Sequence, residues 1–302
     1  MFIKNMKNTP VSRIAFNIIN YGFFTLFTFI CVYPLWYVFI YAISDPAGVA
    51  REIVTIRPVG FSLYNITHTL QLTGILNAFF ISVARTVLGT VVTVLCCMLL
   101  GYIFSKENVP FRKFMYRMLI VTMYVSGGLI PTYLVIKAYG MLNTFWVYII
   151  PPISAFYVIL IKTFIEQLPA SLEESALIDG AGYLMIFARI ILPLSIPIAA
   201  TVGIYSAVEQ WNSWFDNHIY TFQNLSLQTM QYLLYKYFIE AERLARMLDQ
   251  SRVASQLQRN QSLTPMGVRM TVTLFTVLPI LTVYPFLQRY FIKGIMIGAV
   301  KG

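Results

Sequence analysis

Residues 14–44, IAFNIINYGFFTLFTFICVYPLWYVFIYAIS, run without a single Asp, Glu, Lys, Arg or His. At ~1.5 Å rise per helical residue, such a run is long enough to cross the ~30 Å hydrocarbon core of a bilayer. Inside that core the backbone must pair its own N–H and C=O groups, which favours an α-helix for an apolar stretch of this length. The run exceeds the apolar core of a signal peptide and lacks a small-residue cleavage pattern, so it predicts a first transmembrane helix. Pro34 marks a place where that helix can kink, because neighbouring groups can re-satisfy the carbonyl that proline leaves free.

The pattern recurs. Further apolar runs at 78–104, 118–136, 138–161, 190–208 and 270–288 predict an all-α membrane protein of six transmembrane helices in a single domain, 1–302. Composition agrees, since 58% of residues are hydrophobic and only 11% charged. The net charge of +10 then reflects topology and lipid headgroups, and nucleic acid is not expected as a partner. Cys31, Cys96 and Cys97 lie inside apolar runs, and His68 and His218 have no ligand spacing, so neither a disulfide framework nor a metal site is expected.

Orientation follows from the basic residues. With both termini in the cytoplasm, the inner segments hold Lys4, Lys7, Arg13, Lys106, Arg112, Lys113, Arg117, Lys162, Arg189, Arg289, Lys293 and Lys301. The short outer segments hold only Arg51, Arg57 and Lys137, so the bias favours cytoplasmic termini. The one long polar region, an outer loop at 217–268, is expected to be helical around 232–258.

Three places inside the spans carry polarity. Arg85 interrupts 78–104, but the residues after it suffice to cross, which predicts that its side chain snorkels to the outer headgroups; contact with an anionic solute is the second reading. In 118–136, Ser126-Gly127-Gly128 and Pro131-Thr132-Tyr133 fit either a broken helix lining a path or close packing on small residues. The fourth run starts near Asn143 and Trp146 and is interrupted by Pro151-Pro152. After the fifth run, EQWNSWFDNHIY places Trp211, Trp214 and Phe215 among Gln210, Asn212 and Asp216. These aromatics suit an interfacial belt, and the mixture also suits stacking and hydrogen bonding to a sugar. Gln210, Trp211, Asn212 and Trp214, with Tyr133, are the candidates for a solute path.

Between the fourth and fifth runs lies a stretch that is neither membrane-like nor plain loop, LPASLEESALIDGAGYLMIFARIILPLSIP at 168–197. Ser171 and Glu174 have capping-box spacing, predicting a short helix with Leu172, Ala176 and Asp179 along one side and an end at Gly180. Tyr183, Ile186, Phe187 and Ile190 predict the apolar stripe of a second helix, closed by Pro193. Glu174-Ser175-Ala176, then Gly180, then Ile190-x-Leu192-Pro193 resembles the cytoplasmic coupling motif of permeases in binding-protein-dependent ABC importers, with Ser175 where a second alanine is usual. From Asn77 onward the chain is similar to that family's carbohydrate branch, in the manner of the second permease of maltose-type transporters, notably in QRYFIKGIMIGAVKG at 288–302.

The resemblance implies a permease subunit forming half of a sugar path in a prokaryotic cell membrane. It implies a coupling-helix pair in a loop at 167–193, with Glu173, Glu174, Ser175, Ala176, Asp179, Gly180, Ala181, Ile190, Leu192 and Pro193 as coupling residues and Glu174 facing a basic group on an ATPase. The implied partners are a second homologous permease, two ATP-binding subunits and an extracytoplasmic solute-binding protein, besides membrane lipid. The chain has no GxxxxGK[ST] loop, so it is not expected to be an enzyme, and ATP and Mg belong to the partner subunits. The alternative, a stand-alone secondary transporter driven by an ion gradient, usually needs ionisable residues within its spans, and apart from Arg85 the predicted interiors lack them.

Overall fold

A computed structural model describes residues 11–49, 54–150, 153–250 and 265–299. Lys4, Lys7, Arg51, Pro151, Pro152 and Lys301, and the end of the helix expected up to 258, lie outside these residues. The chain divides into two compact units, residues 1–71 with 237–275 and residues 72–236 with 276–302.

The first unit is led by α1, Val11–Ala42, which continues through Pro34. Its large apolar residues from Phe16 to Trp36 stand exposed, whereas Tyr37 and Val38 are half-buried and its end, Ile40 to Ala42, is buried. An apolar helix presented this way belongs in lipid or against other apolar helices. The polar connection that follows is ordered by its own backbone. The Asp45 amide donates to the Val59 and Gly60 carbonyls (3.0 and 2.8 Å), and the Asp45 carboxylate accepts from the Gly48 amide at 2.9 Å. Two short helices, α2 at Pro46–Val49 and α3 at Tyr64–Gln71, lie in it. Buried Asn65 donates to the Ser44 carbonyl at 3.0 Å, and Ile40, Tyr41, Val54 and Met270 form a small core.

The second unit is built on α4, Ile75–Ser105, which packs against α7, Ala155–Ile165, and α11, Ile196–Asn212. In a membrane, helices associate through close packing, and small residues permit it. A Cβ at Gly101 would lie 2.6 Å from Ile161 Cγ2, so α4 and α7 meet there at a distance only glycine allows. Around this contact Cys97, Met98, Tyr102, Tyr157, Ile161 and Val202 form the main core.

The third expected span is divided into α5, Arg112–Tyr124, and α6, Leu129–Ala138, at the Ser126-Gly127-Gly128 stretch. Gly128 has φ of 82°, a conformation a Cβ disfavours. The fourth contains a 3₁₀ turn, Phe145–Tyr148, before α7. The helix pair consists of α8, Ser171–Ile178, and α9, Tyr183–Ile186; a π turn, Phe187–Ile191, and the short α10, Leu192–Leu194, then lead into α11 through a 78° bend. Tyr183–Leu194 and Ile196–Asn212, taken together across the bend, make one candidate span; three further helices among the described residues are long and apolar enough to cross a membrane, within Arg13–Ala42, Ile75–Ser105 and Met266–Pro285. The last of these lies in α14, Pro265–Ala299; α12, Phe215–Tyr220, and α13, Met230–Gln250, precede it.

Candidate functional site

The helix pair begins without the expected capping box. Ala170 occupies the N-cap position with φ −60° and ψ −30°, already helical, and no side chain caps the helix. Ser171 therefore sits inside the first turn, where it lacks the extended backbone that aims an N-cap hydroxyl at the free amides. The two acidic residues there, Glu173 and Glu174, favour the positive end of the helix dipole.

They point different ways. Glu173 is half-buried, accepts from the Tyr102 hydroxyl at 3.0 Å and pairs with the Lys106 ammonium, both at the Ser105 end of α4. Lys106 also lies 4.8 Å from the centre of the Tyr102 ring. Glu174, Ser175 and Asp179 are exposed, whereas Ala176 and Ala181 pack against the main core.

Gly180 ends α8 with φ of 82°; its amide returns to the Leu177 carbonyl (3.0 Å) and the Ala181 amide to the Ala176 carbonyl (2.9 Å). This is a Schellman turn, which needs the left-handed residue that glycine supplies. Beyond it, Ile186 and Phe187 are buried as the stripe requires, but Ile191 is the next fully buried residue, while Ile190 is half-buried and Tyr183 exposed. The reason is the π turn, in which the Leu192 amide bonds the Phe187 carbonyl and one extra residue rotates the stripe. Pro193, expected to close the second helix, lies within α10, and the break falls at Ser195. Leu192 is half-buried and Pro193 exposed. Ile178 and Leu184 stand out at 87% and 74% exposure.

The second polar constellation surrounds Arg85. Its side chain is 3% exposed, so snorkelling to headgroups is corrected: the guanidinium turns into the protein. It pairs with Asp216 (Nη2–Oδ2 2.5 Å, Nη1–Oδ1 3.1 Å), donates from Nε and Nη2 to Gln210 Oε1 (3.2 and 3.0 Å), and lies 4.4 Å over the Tyr148 ring. Gln210 uses its amide nitrogen on the Tyr148 carbonyl at 3.1 Å, so both ends of its side chain are engaged. These groups line a cavity of about 200 Å³ that also meets Thr132, Ser206 and Glu209. Glu209 accepts from the Tyr157 hydroxyl at 3.1 Å.

The sequence held a signal for this inward turn. Ala78, Ser82, Arg85, Gly89 and Thr93 recur at helical spacing, all buried, and make one small and polar face of α4. A lipid-facing stripe would be apolar and bulky, as Phe80, Val83, Val87 and Val91 are on the exposed side. Glu209 carries no such signal: α11 runs to Asn212, beyond the apolar run at 190–208, so this carboxylate belongs to the helix rather than to the loop after it.

The remaining path candidates do not gather around that cavity. Trp211 is buried against Phe79 and donates its indole N–H to the Thr276 carbonyl at 3.0 Å. Asn212 is exposed and accepts from Gln231 at 3.1 Å. Trp214 stacks on Tyr235, with ring centres 4.2 Å apart, and Tyr133 of α6 stacks on Tyr220 at 6.3 Å.

Residues 97–297 match the family described as "Binding-protein-dependent transport system inner membrane component". The chain is 35% identical to the polygalacturonan/rhamnogalacturonan transport system permease protein YtcP of Bacillus subtilis, over 95% of this chain and 98% of that one. It is 35% identical to protein LplC of the same organism, over 99% of each. Among solved structures, a bacterial ABC transporter involved in the import of the acidic polysaccharide alginate contains a chain with a TM-score of 0.83 and 25% identity, covering 94% of this chain and 99% of that one.

Proposed function

The chain belongs to the inner-membrane components of binding-protein-dependent transport systems, as a permease subunit of an ABC importer, and from that premise we propose which of its parts do what. It crosses the membrane six times with both termini in the cytoplasm and forms half of the path for a sugar or oligosaccharide, the class named for its relatives. The spans are α1, α4, α5 with α6, the segment through α7, α11 and α14. The second half comes from a similar permease. Two ATP-binding subunits supply ATP and Mg, and an extracytoplasmic solute-binding protein delivers the sugar to the side that carries α12 and α13.

The observation that carries this reading is the pair α8 and α9. It is fixed from behind by Ala176, Ala181, Ile186 and Phe187, yet presents Glu174, Ile178 and Leu184 outward. A rigid helix pair with an exposed apolar tip and a free carboxylate suits docking into a cleft of a soluble subunit. Glu174, Ser175, Asp179 and Gly180 make the docking face; Glu173, Ala176, Ala181, Ile190, Leu192 and Pro193 hold it to the membrane helices. Along the path, Glu209 and the Arg85 cavity contribute polar lining, and Tyr133, Asn212 and Trp214 contribute stacking and hydrogen-bonding surface.

Purification in mild detergent tests the class: an ATP-binding subunit should co-purify, whereas a homo-oligomer that transports unaided would sink the reading. Uptake by reconstituted vesicles, with the cognate binding protein and a panel of sugars, tests the solute. No stimulation by any neutral or acidic oligosaccharide would remove the carbohydrate assignment.

A further inference from the structure

Covalent links and side-chain contacts both lead from the helix pair into the membrane helices. One covalent link runs back through residues 166–170 to α7, and the other passes through the π turn and the 78° bend at Ser195 before it reaches α11. A π turn has one residue more than the regular helical register, and this one is followed by a break in the axis, so the forward link is poorly suited to carrying a push. A third connection, to α4, is made by side chains. Glu173 of α8 holds Tyr102 and Lys106 at one end of α4, and the Tyr102 ring also packs on Phe187 beyond Gly180, with ring centres 5.4 Å apart. The first helix of the pair and the start of the π turn after the second thus rest on the same end of α4.

From that end α4 continues as an uninterrupted helix. About 25 Å along it, at 1.5 Å per residue, Arg85 grips Asp216 and Gln210 at the cavity. Gly89, whose added Cβ would collide with the Gln210 side chain, and Gly101, against Ile161, keep the rod seated closely on α11 and α7. We infer that α4 is the rod that carries movement of the helix pair to the cavity, through an acid–base clasp at each end: Glu173 with Lys106 and Tyr102, and Asp216 with Arg85. The inference rests on the helix pair being the ATPase-docking element. Glu173, Lys106 and Tyr102 are positioning residues, whereas Arg85, Asp216 and Gln210 line the cavity itself.

The test is a double-mutant cycle on the assembled importer in vesicles, reading sugar taken up per ATP hydrolysed. Glu173→Gln and Asp216→Asn each weaken one clasp without changing side-chain size. Each should lower the ratio about fivefold, within the range of residues lying along a coupling network. In combination they should lower it no further than the worse single variant, because a linkage already broken at one end cannot be broken again. A product of the two losses, about twenty-fivefold, or an unchanged ratio in either single variant, overturns the inference. If Asp216→Asn fails to assemble, Gln210→Met loosens the same end and completes the cycle. Co-purification of ATPase with the unaltered chain is scored separately: its failure strikes the docking assignment, whereas a multiplicative loss with ATPase bound strikes only the rod.

Discussion

Replacing Arg85 by Leu removes a cation whose every donor direction is used. The guanidinium makes four hydrogen bonds to Gln210 and Asp216, a longer one to the Ser213 carbonyl at 3.4 Å, and covers the Tyr148 ring. Leucine would leave the Asp216 carboxylate, which also accepts from the Asn217 amide at 2.8 Å, without its cation and the Gln210 carbonyl oxygen without its donors. Breaking a buried ion pair by removing one partner costs ~3–5 kcal/mol. The lower end applies, because the Asp216 side chain keeps 21% of its surface exposed and can regain water. About 3 kcal/mol is roughly a hundredfold in the ratio of intact to disrupted protein. Heating the solubilised complex and following the loss of its size-exclusion peak should therefore show a clear drop in stability, and uptake should fall with it. Removing both charges, with Arg85→Leu and Asp216→Leu together, should recover much of the loss, since an apolar pair leaves no stranded carboxylate. Unchanged thermal stability and uptake in Arg85→Leu would refute the burial and return the guanidinium to the lipid headgroups.

Gly180→Val puts a β-branched residue at φ of 82°, a strain of roughly 1–2 kcal/mol, and should leave the permease inserted while weakening co-purification of the ATPase. Gly101→Leu forces α4 away from Ile161 and should destabilise the solubilised protein by ~1–3 kcal/mol, with a visibly earlier melt than Gly22→Leu, where nothing lies within 4 Å. Glu174→Ala should depress solute-stimulated ATP hydrolysis more than expression; equal losses would mean that the exposed carboxylate serves only folding. Lys106→Met leaves Glu173 half-buried without its cation and should lower both stability and uptake, whereas the same change at exposed Lys113 should be nearly silent in a thermal scan.

Membrane class, the division into apolar runs and the site of the helix pair were determined by the amino-acid sequence alone, because lipid makes long uncharged segments and paired backbone obligatory. The turn at Gly180 was legible for a similarly local reason: the helix end needs a left-handed residue, and glycine supplies it at no steric cost. Local pattern carried less far where a partner lies distant in the chain. The capping-box spacing at Ser171 and Glu174 was present, yet Glu173 found Lys106 and Tyr102 on α4, and the helix started a residue too early for the cap. The apolar stripe of the second helix was read with an α-helical period that the π turn at Phe187–Ile191 then shifted by one residue. Depth in the membrane can be counted along a helix, and counting puts Arg85 nearer the Ile75 end of α4. The direction its side chain takes was decided by tertiary structure, because only there do Asp216 and Gln210, more than a hundred residues later, come close enough to make burial of a charge less costly than its exposure to lipid.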